Sequence, residues 1–139
     1  MDSIRTPFNT VVRAQIDLWN ALERRLRSVP GAVSIGRCDV LEVAGAAESA
    51  RVQDIAAALR ITVGGASRLV DRLEADGLLV REAHPSDRRS SRVVLTEAGR
   101  AALAITVPAI NAALAELLGP AGSRELRSAA AALARVRLP

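Results

Sequence analysis

The 139-residue chain is predicted to be mainly α with a small β-hairpin (α+β), and three observations predict it. Apolar residues recur at spacings of three, four and seven along most of its length, the period of an amphipathic helix. Half of the residues are apolar, yet Phe8 and Trp19 are the only aromatics and Tyr is absent. The core is therefore aliphatic and rich in alanine, the best helix former. The helical pattern is interrupted by two short strand-like stretches, "LLVREA" and "SRVVLT", flanking a polar loop.

Taken in order, "TPFNTVVRAQIDLWNALERRLRS" opens on a turn-like Thr6-Pro7 and then reads as a helix. Val11, Leu18 and Leu22, and again Val12, Trp19 and Leu26, recur at helical spacing, which puts apolar residues on more than one face. A lone helix cannot bury two faces against a small domain, so part of this surface is expected to meet another chain; Trp19 as ordinary core is the competing reading. Pro30 and Gly31 break the helix, and Ser34 caps the next, "IGRCDVLEVAGAA", with Ile35, Val40, Leu41 and Val43 as its apolar positions. In "ESARVQDIAAALRI", Ile55 and Leu59 face inward while Arg51 and Asp54 face out. About three residues, Arg60 to Thr62, then lead into "VGGASRLVDRLEADG", capped by Thr62, striped by Leu69, Val70 and Leu73, and stopped at Gly77. That separation is the length of a helix-turn-helix connection.

In the hairpin, Val80, Val93 and Leu95 are the expected inward residues, with Arg81, Glu82 and Arg92 among the others. Thr96-Glu97 caps a long alanine-rich helix carrying Leu103, Val107, Ile110, Leu114 and Leu117. Pro108 removes the bond to the Ala104 carbonyl, so a kink or two consecutive helices is expected there. Gly119-Pro120 ends the helix, and Ser123 caps a last one through about Val136. A helix-turn-helix followed at once by a hairpin is a winged helix, and 139 residues fit one domain.

The same residues exclude several functions. The single cysteine, Cys38, cannot form an internal disulfide, and one Cys with one His cannot build a structural zinc site, so no metal or cofactor is expected. Ser86, His84 and Asp87 stand together, but a catalytic triad converges from separate elements, and an enzyme is not expected. No apolar run approaches the roughly 20 residues of a membrane span, and Met1–Pro30 lacks a signal peptide's apolar stretch. The expectation is a cytoplasmic chain with no membrane partner. Every basic residue is Arg, and the net charge of +4 is compatible with nucleic acid.

The stretch "SRLVDRLEADGLLVREAHPSDRRSSRVVLTEAGRAAL", Ser67 to Leu103, carries a resemblance. The end of the second helix of the helix-turn-helix, the Asp87-Arg88-Arg89 tip and the Leu95-Thr96-Glu97-x-Gly99 helix start stand in it at the spacing of the MarR (multiple antibiotic resistance regulator) family of bacterial transcription factors, which the chain resembles. The helical layout extends the likeness over nearly the whole chain, although the N-terminal third matches only in pattern. The resemblance implies a homodimer joined through its first and last helices, about 6–28 and 97–137. Two winged lobes, about 34–95, would then face pseudo-palindromic double-stranded DNA. It also implies repression relieved by a small-molecule effector or an oxidant.

A helix in the major groove reads bases near its N-terminal end, which here means Thr62, Val63, Gly64, Gly65, Ser67 and Arg68. Each glycine of the Gly64-Gly65 pair costs about 1 kcal/mol against alanine. Either the bare backbone approaches a phosphate or a thymine methyl closely, or the pair reflects drift or tight packing against the preceding helix. With these two positions mute, Ser67 and Arg68 become the base readers. Arg72, one turn on, suits a phosphate or a pair with an acid of the wing. The hairpin tip of a winged helix is expected to point at the flanking minor groove, where one of Arg88 and Arg89 enters and the other contacts phosphate; a merely solvated charged loop is the competing reading. Asp87, repelled by DNA, holds an arginine and fixes the wing, and His84 is a phosphate contact or merely exposed.

The family's effector pocket, between the dimerisation helices and the lobe, points to Trp19, Leu22, Cys38, Leu41 and the region near Pro108, each of which also reads as plain core. Cys38 beside Arg37 is either a thiol of lowered pKa that senses oxidants or a small buried hydrophobe. A second reading of the whole is a winged-helix protein-interaction module that has lost DNA binding. The glycine pair and modest charge favour it; Arg68, Arg72, Arg88 and Arg89 oppose it.

Overall fold

Three hydroxyl side chains set three of the helix starts. Ser34 Oγ accepts from the Arg37 N–H, Thr62 Oγ1 from the Gly65 N–H and Thr96 Oγ1 from the Gly99 N–H. Each such cap contributes about 1 kcal/mol by satisfying a donor that the helix leaves free. The computed structural model describes residues 3–139, the side chain of Arg88 excepted. Its elements run α1 (Arg5–Leu26), α2 (Ile35–Ala46), α3 (Val52–Leu59), α4 (Val63–Ala75), β1 (Leu79–His84), β2 (Asp87–Leu95) and α5 (Glu97–Leu133). Arg60, left-handed at φ 55°, closes the turn between α3 and α4.

The core lies in two parts. One fills the lobe, where Val40 and Leu41 of α2, Ile55 of α3, Val70 and Leu73 of α4, and Leu79 and Val93 of the hairpin meet. The other, smaller, joins Leu22 and Leu26 at the end of α1 to Ile35 and Ala113. Between them Thr106 of α5, fully buried, accepts a hydrogen bond from the Val33 N–H at 3.0 Å, and Glu23 of α1 accepts one from the Ile35 N–H at 2.8 Å.

Several expectations change. Leu79, not Val80, is the inward residue of β1. The antiparallel register pairs Leu79 with Leu95 and Arg81 with Val93, so strict alternation turns Val80 to solvent. The apolar residues of α1 form one broad stripe rather than two faces, since at about 100° per residue Phe8, Val11, Val12, Ile16 and Trp19 share a side with Leu22 and Leu26. Only Leu22 and Leu26 are buried; the lobe ends before it can cover the rest.

α5 passes Pro108 unbroken. Ala104 and Pro108 are both exposed, which lets the freed carbonyl reach water. The break falls at Gly119 (φ 67°, ψ 176°), and the helix restarts at Pro120, a residue preorganised for the first helical position, so Ser123 caps nothing and the helix ends at Leu133. α5 also contains an 18-residue window of mean hydropathy 1.8, enough by length and composition to cross a membrane, against the expectation that no stretch comes near one. Alanine accounts for this, because it raises hydropathy without making a continuous run of large apolar side chains.

The junction between hairpin and α5 explains the Leu-Thr-Glu-x-Gly pattern. Thr96 Oγ1 donates to the Gly77 carbonyl at 2.6 Å, and the Thr96 N–H donates to the Leu78 carbonyl at 3.1 Å. Gly99 lies so close to that strand that a Cβ on it would sit 1.9 Å from the Leu78 oxygen. Gly99→Ala is expected to lower stability by about 3 kcal/mol, the upper range for overpacking, in urea unfolding followed by circular dichroism. Gly64→Ala, whose added Cβ meets nothing within 4 Å, should leave stability unchanged or slightly raised in the same experiment.

Candidate nucleic-acid interface

Ala66, Val70 and Leu73 turn α4 toward the core, which leaves Gly64, Ser67, Arg68, Asp71 and Arg72 on its outer side. Val63, the first residue, is 56% exposed. The space around Gly64 is empty, and a Cβ at Gly65 would approach only the capping hydroxyl of Thr62, at 3.1 Å. Neither glycine is therefore required for packing against α3. The start of the helix presents bare backbone, an apolar side chain at Val63 and, one turn on, the exposed guanidinium of Arg68.

Asp71 and Glu74 put negative charge on the same helix, and Arg81 of β1 answers both. Its guanidinium reaches Asp71 at 2.8 Å and Glu74 at 3.1 Å, while its N–H donates to Glu74 at 2.9 Å. Of the two roles expected for Arg72, a phosphate contact or a pair with an acid of the wing, the second is replaced by its inverse, an arginine of the wing held by acids of α4. Arg81 was not among the functional residues expected from sequence; two acids three apart on a helix that ends just before an arginine-bearing strand were its only signal. Among the described residues Arg68, Arg72 and Arg89 have no carboxylate within 4 Å.

The wing is braced from its base to its tip. Arg92 pairs with Glu82 directly across the strands at 2.9 Å and donates to the Glu48 carbonyl, while the Val93 N–H donates to the Ala50 carbonyl at 2.7 Å. The segment before α3 is thereby laid along β2. At the tip the register shifts between Ala83 and His84. His84 Nδ1 accepts from the Ser86 N–H at 3.2 Å and lies 2.9 Å from Ser86 Oγ, while Asp87 accepts from the Arg89 N–H at 2.9 Å. Asp87 so fixes the tip through backbone, and no carboxylate among the described residues orients the imidazole as a triad requires. Arg89 is exposed; the side chain of Arg88 lies outside the described residues.

Of the four pocket candidates, only Trp19 lines an open groove. Leu22 and Leu41 are buried in the two core clusters and Cys38 is fully buried, because their side of each helix is the one that packs. Trp19 borders a groove of about 530 Å³ walled by α2, α3 and α4. A second groove, about 600 Å³, lies between the end of α2, the base of β2 and the start of α5 near Arg100 and Leu103.

These elements make up a winged helix-turn-helix with long flanking helices. The MarR family model matches residues 29–90. The chain is 32% identical to a transcriptional repressor, CouR, bound to a 23-mer DNA duplex, with 91% of this chain and 90% of that one covered and a TM-score of 0.78. It is also similar to a MarR-family regulator from Streptomyces coelicolor in complex with DNA (24% identity, 100% and 92% covered, TM-score 0.79). CouR from Rhodococcus jostii RHA1 bound to p-coumaroyl-CoA is a further similar structure (23% identity, 94% and 92% covered, TM-score 0.75). No curated protein sequence matches the chain. The chain belongs to the MarR family of DNA-binding transcriptional regulators, which is not a family of enzymes.

Cys38 behaves opposite to an oxidant-sensing thiol. Burial pushes its thiol up from an ordinary 9.0 to about 12, with Glu42 and Asp39 adding to the effect, and Arg37 turns away to pair with Asp76. The chain contains no Lys or Tyr, so Cys38 is the one side chain that titrates in this alkaline range. Unfolded, the thiol ionises from about pH 9; folded, it keeps its proton. Its contribution is therefore complete below pH 9.0, and stability should fall by about 1.4 kcal/mol per unit as pH rises toward 12. Urea unfolding across this range is expected to show that slope, and Cys38→Ala to flatten it.

Proposed function

We propose that the chain is a cytoplasmic repressor that binds pseudo-palindromic operator DNA as a homodimer and is released by a small-molecule effector. The observation that carries this reading is the shared outer surface of α4 and the wing. There Arg68, Arg72 and Arg89 stand without carboxylate partners among the described residues, while Arg81 pairs with Asp71 and Glu74 and offsets part of the charge that would repel phosphate. The 32% identity to a repressor bound to duplex DNA supports it. In this reading Val63, Ser67 and Arg68 touch base edges, Thr62 caps the helix at the groove, and the bare backbone at Gly64 and Gly65 lets the helix enter deeply. Arg72 and His84 contact phosphate, Arg88 and Arg89 serve the minor groove and its phosphates, and Asp87 keeps the tip in shape.

The homodimer reading rests on uncovered apolar surface. Ile4, Phe8, Val11, Val12 and Ile16 of α1 are exposed, and only 17% of the most apolar window of α5 is buried. A second copy laid across both helices removes that surface from water. The effector reading rests on the two grooves and on the p-coumaroyl-CoA bound by the similar CouR structure.

Fluorescence-anisotropy titration against duplexes from the gene's own upstream region, at several salt concentrations, tests the DNA reading. Binding at least roughly a thousandfold tighter than to random duplex is expected. Arg68→Ala should weaken it by about tenfold and relax base preference, whereas Arg88→Ala with Arg89→Ala should weaken it and flatten the salt slope by about one to two units. Unchanged affinity in both variants would defeat the assignment. Phe8→Asp with Ile16→Asp is expected to give monomers by light scattering and DNA affinity no better than for random duplex; a persisting dimer would place the interface away from that stripe.

A further inference from the structure

The groove beside Trp19 has a chemical character of its own. Its walls are apolar, supplied by Val43 of α2, Leu59 of α3 and Leu69 of α4, with Ile61 of the helix-turn-helix turn at its edge. On this lining stand two carboxylates, Asp39 and Glu42, three residues apart on one face of α2, and the indole of Trp19 from α1. Among the described residues neither acid has a basic partner within 4 Å, since Arg37, the nearest arginine on the same helix, is engaged by Asp76. Burial and the neighbouring Glu42 hold the Asp39 carboxyl above its usual range, as expected of negative charge that nothing offsets. The volume, about 530 Å³, is that of a small-molecule site.

We propose that this groove binds lipophilic cations, with the positive centre seated against the Trp19 ring and the Asp39 and Glu42 carboxylates and the hydrocarbon body lying on Val43, Leu59 and Leu69. Each part supplies what such a molecule needs. An aromatic face attracts a cation through its quadrupole, and does so more strongly as water is excluded. The two carboxylates complete the charge match, and the aliphatic walls take the rest of the molecule out of water. Anions of the same shape meet like charge and are rejected. Because the walls include residues on both sides of the helix-turn-helix turn, an occupant touches the dimerisation helix α1 and α4 together. Only that consequence for DNA rests on the operator reading; the binding itself does not.

Trp19 is the only tryptophan and Tyr is absent, so the emission of the full chain comes from this one side chain. Tetraphenylphosphonium and tetraphenylborate, an ion pair matched in shape and opposite in charge, are the probes. Tetraphenylphosphonium is expected to change Trp19 emission saturably, and tetraphenylborate to bind at least tenfold more weakly or not at all. Asp39→Asn with Glu42→Gln, checked for folding by circular dichroism, should lose the phosphonium at least tenfold, and Trp19→Leu should lose it in calorimetry. Equal binding of the two ions, retention by the Asn/Gln variant, or no response to the phosphonium would overturn the proposal. None of these readouts involves DNA, so failure here leaves the operator reading standing, and failure to bind DNA leaves this result standing.

Discussion

The Leu78 carbonyl sits at the corner where α4, the wing and α5 meet, and the shape of the lobe depends on how tightly that corner closes. Thr96 holds it from two sides, by its N–H to Leu78 and its hydroxyl to Gly77, while the absent side chain of Gly99 lets the first turn of α5 lie against the strand. Gly77 contributes a left-handed φ of 77° that sends the chain back from α4 into β1. The tightness explains why the pattern combines a hydroxyl cap with a glycine three residues later. The cap orients α5, and the glycine makes room for the orientation.

Electrostatics completes what packing begins. α4 carries acids among its basic residues, and in isolation these would weaken any attraction to a polyanion. Arg81 offsets them at distances of 2.8 and 3.1 Å, and in doing so fastens the wing to the helix beside it. Exposed ion pairs contribute little to folding, on the order of 1 kcal/mol or less. The significance of this one is in the field it leaves, an outer surface whose remaining charge near Arg68 and Arg72 is positive.

Features governed by short-range chemistry were legible in the sequence. The caps at Ser34, Thr62 and Thr96 are local, because each hydroxyl serves an N–H three residues on. The stop at Gly77 is local in the same way. What could not be read depends on contacts between distant residues. Leu78, Leu79 and Val80 are three consecutive apolar residues, and alternation alone cannot choose their parity; the pairing of Leu79 with Leu95 does. The reach of Arg81 to α4 leaves no periodic trace. The family resemblance pointed to Leu22, Cys38 and Leu41 as pocket residues, but helical spacing could not tell a lining residue from a buried one, and only Trp19 emerges into a groove. The same spacing showed α1 to be broadly apolar without showing where the domain beneath it ends.

The empty space around Gly64 has a consequence for how such a protein changes over generations. Most residues of the lobe are constrained twice, by the fold and by what the fold must do. At this position the fold makes no demand, since a side chain added there meets no neighbour within 4 Å. Mutation can therefore explore the position without a compensating change in the core, and a single codon can place a side chain on the exposed start of α4. The bare position at the front of α4 leaves the lobe's vocabulary open while its grammar stays fixed.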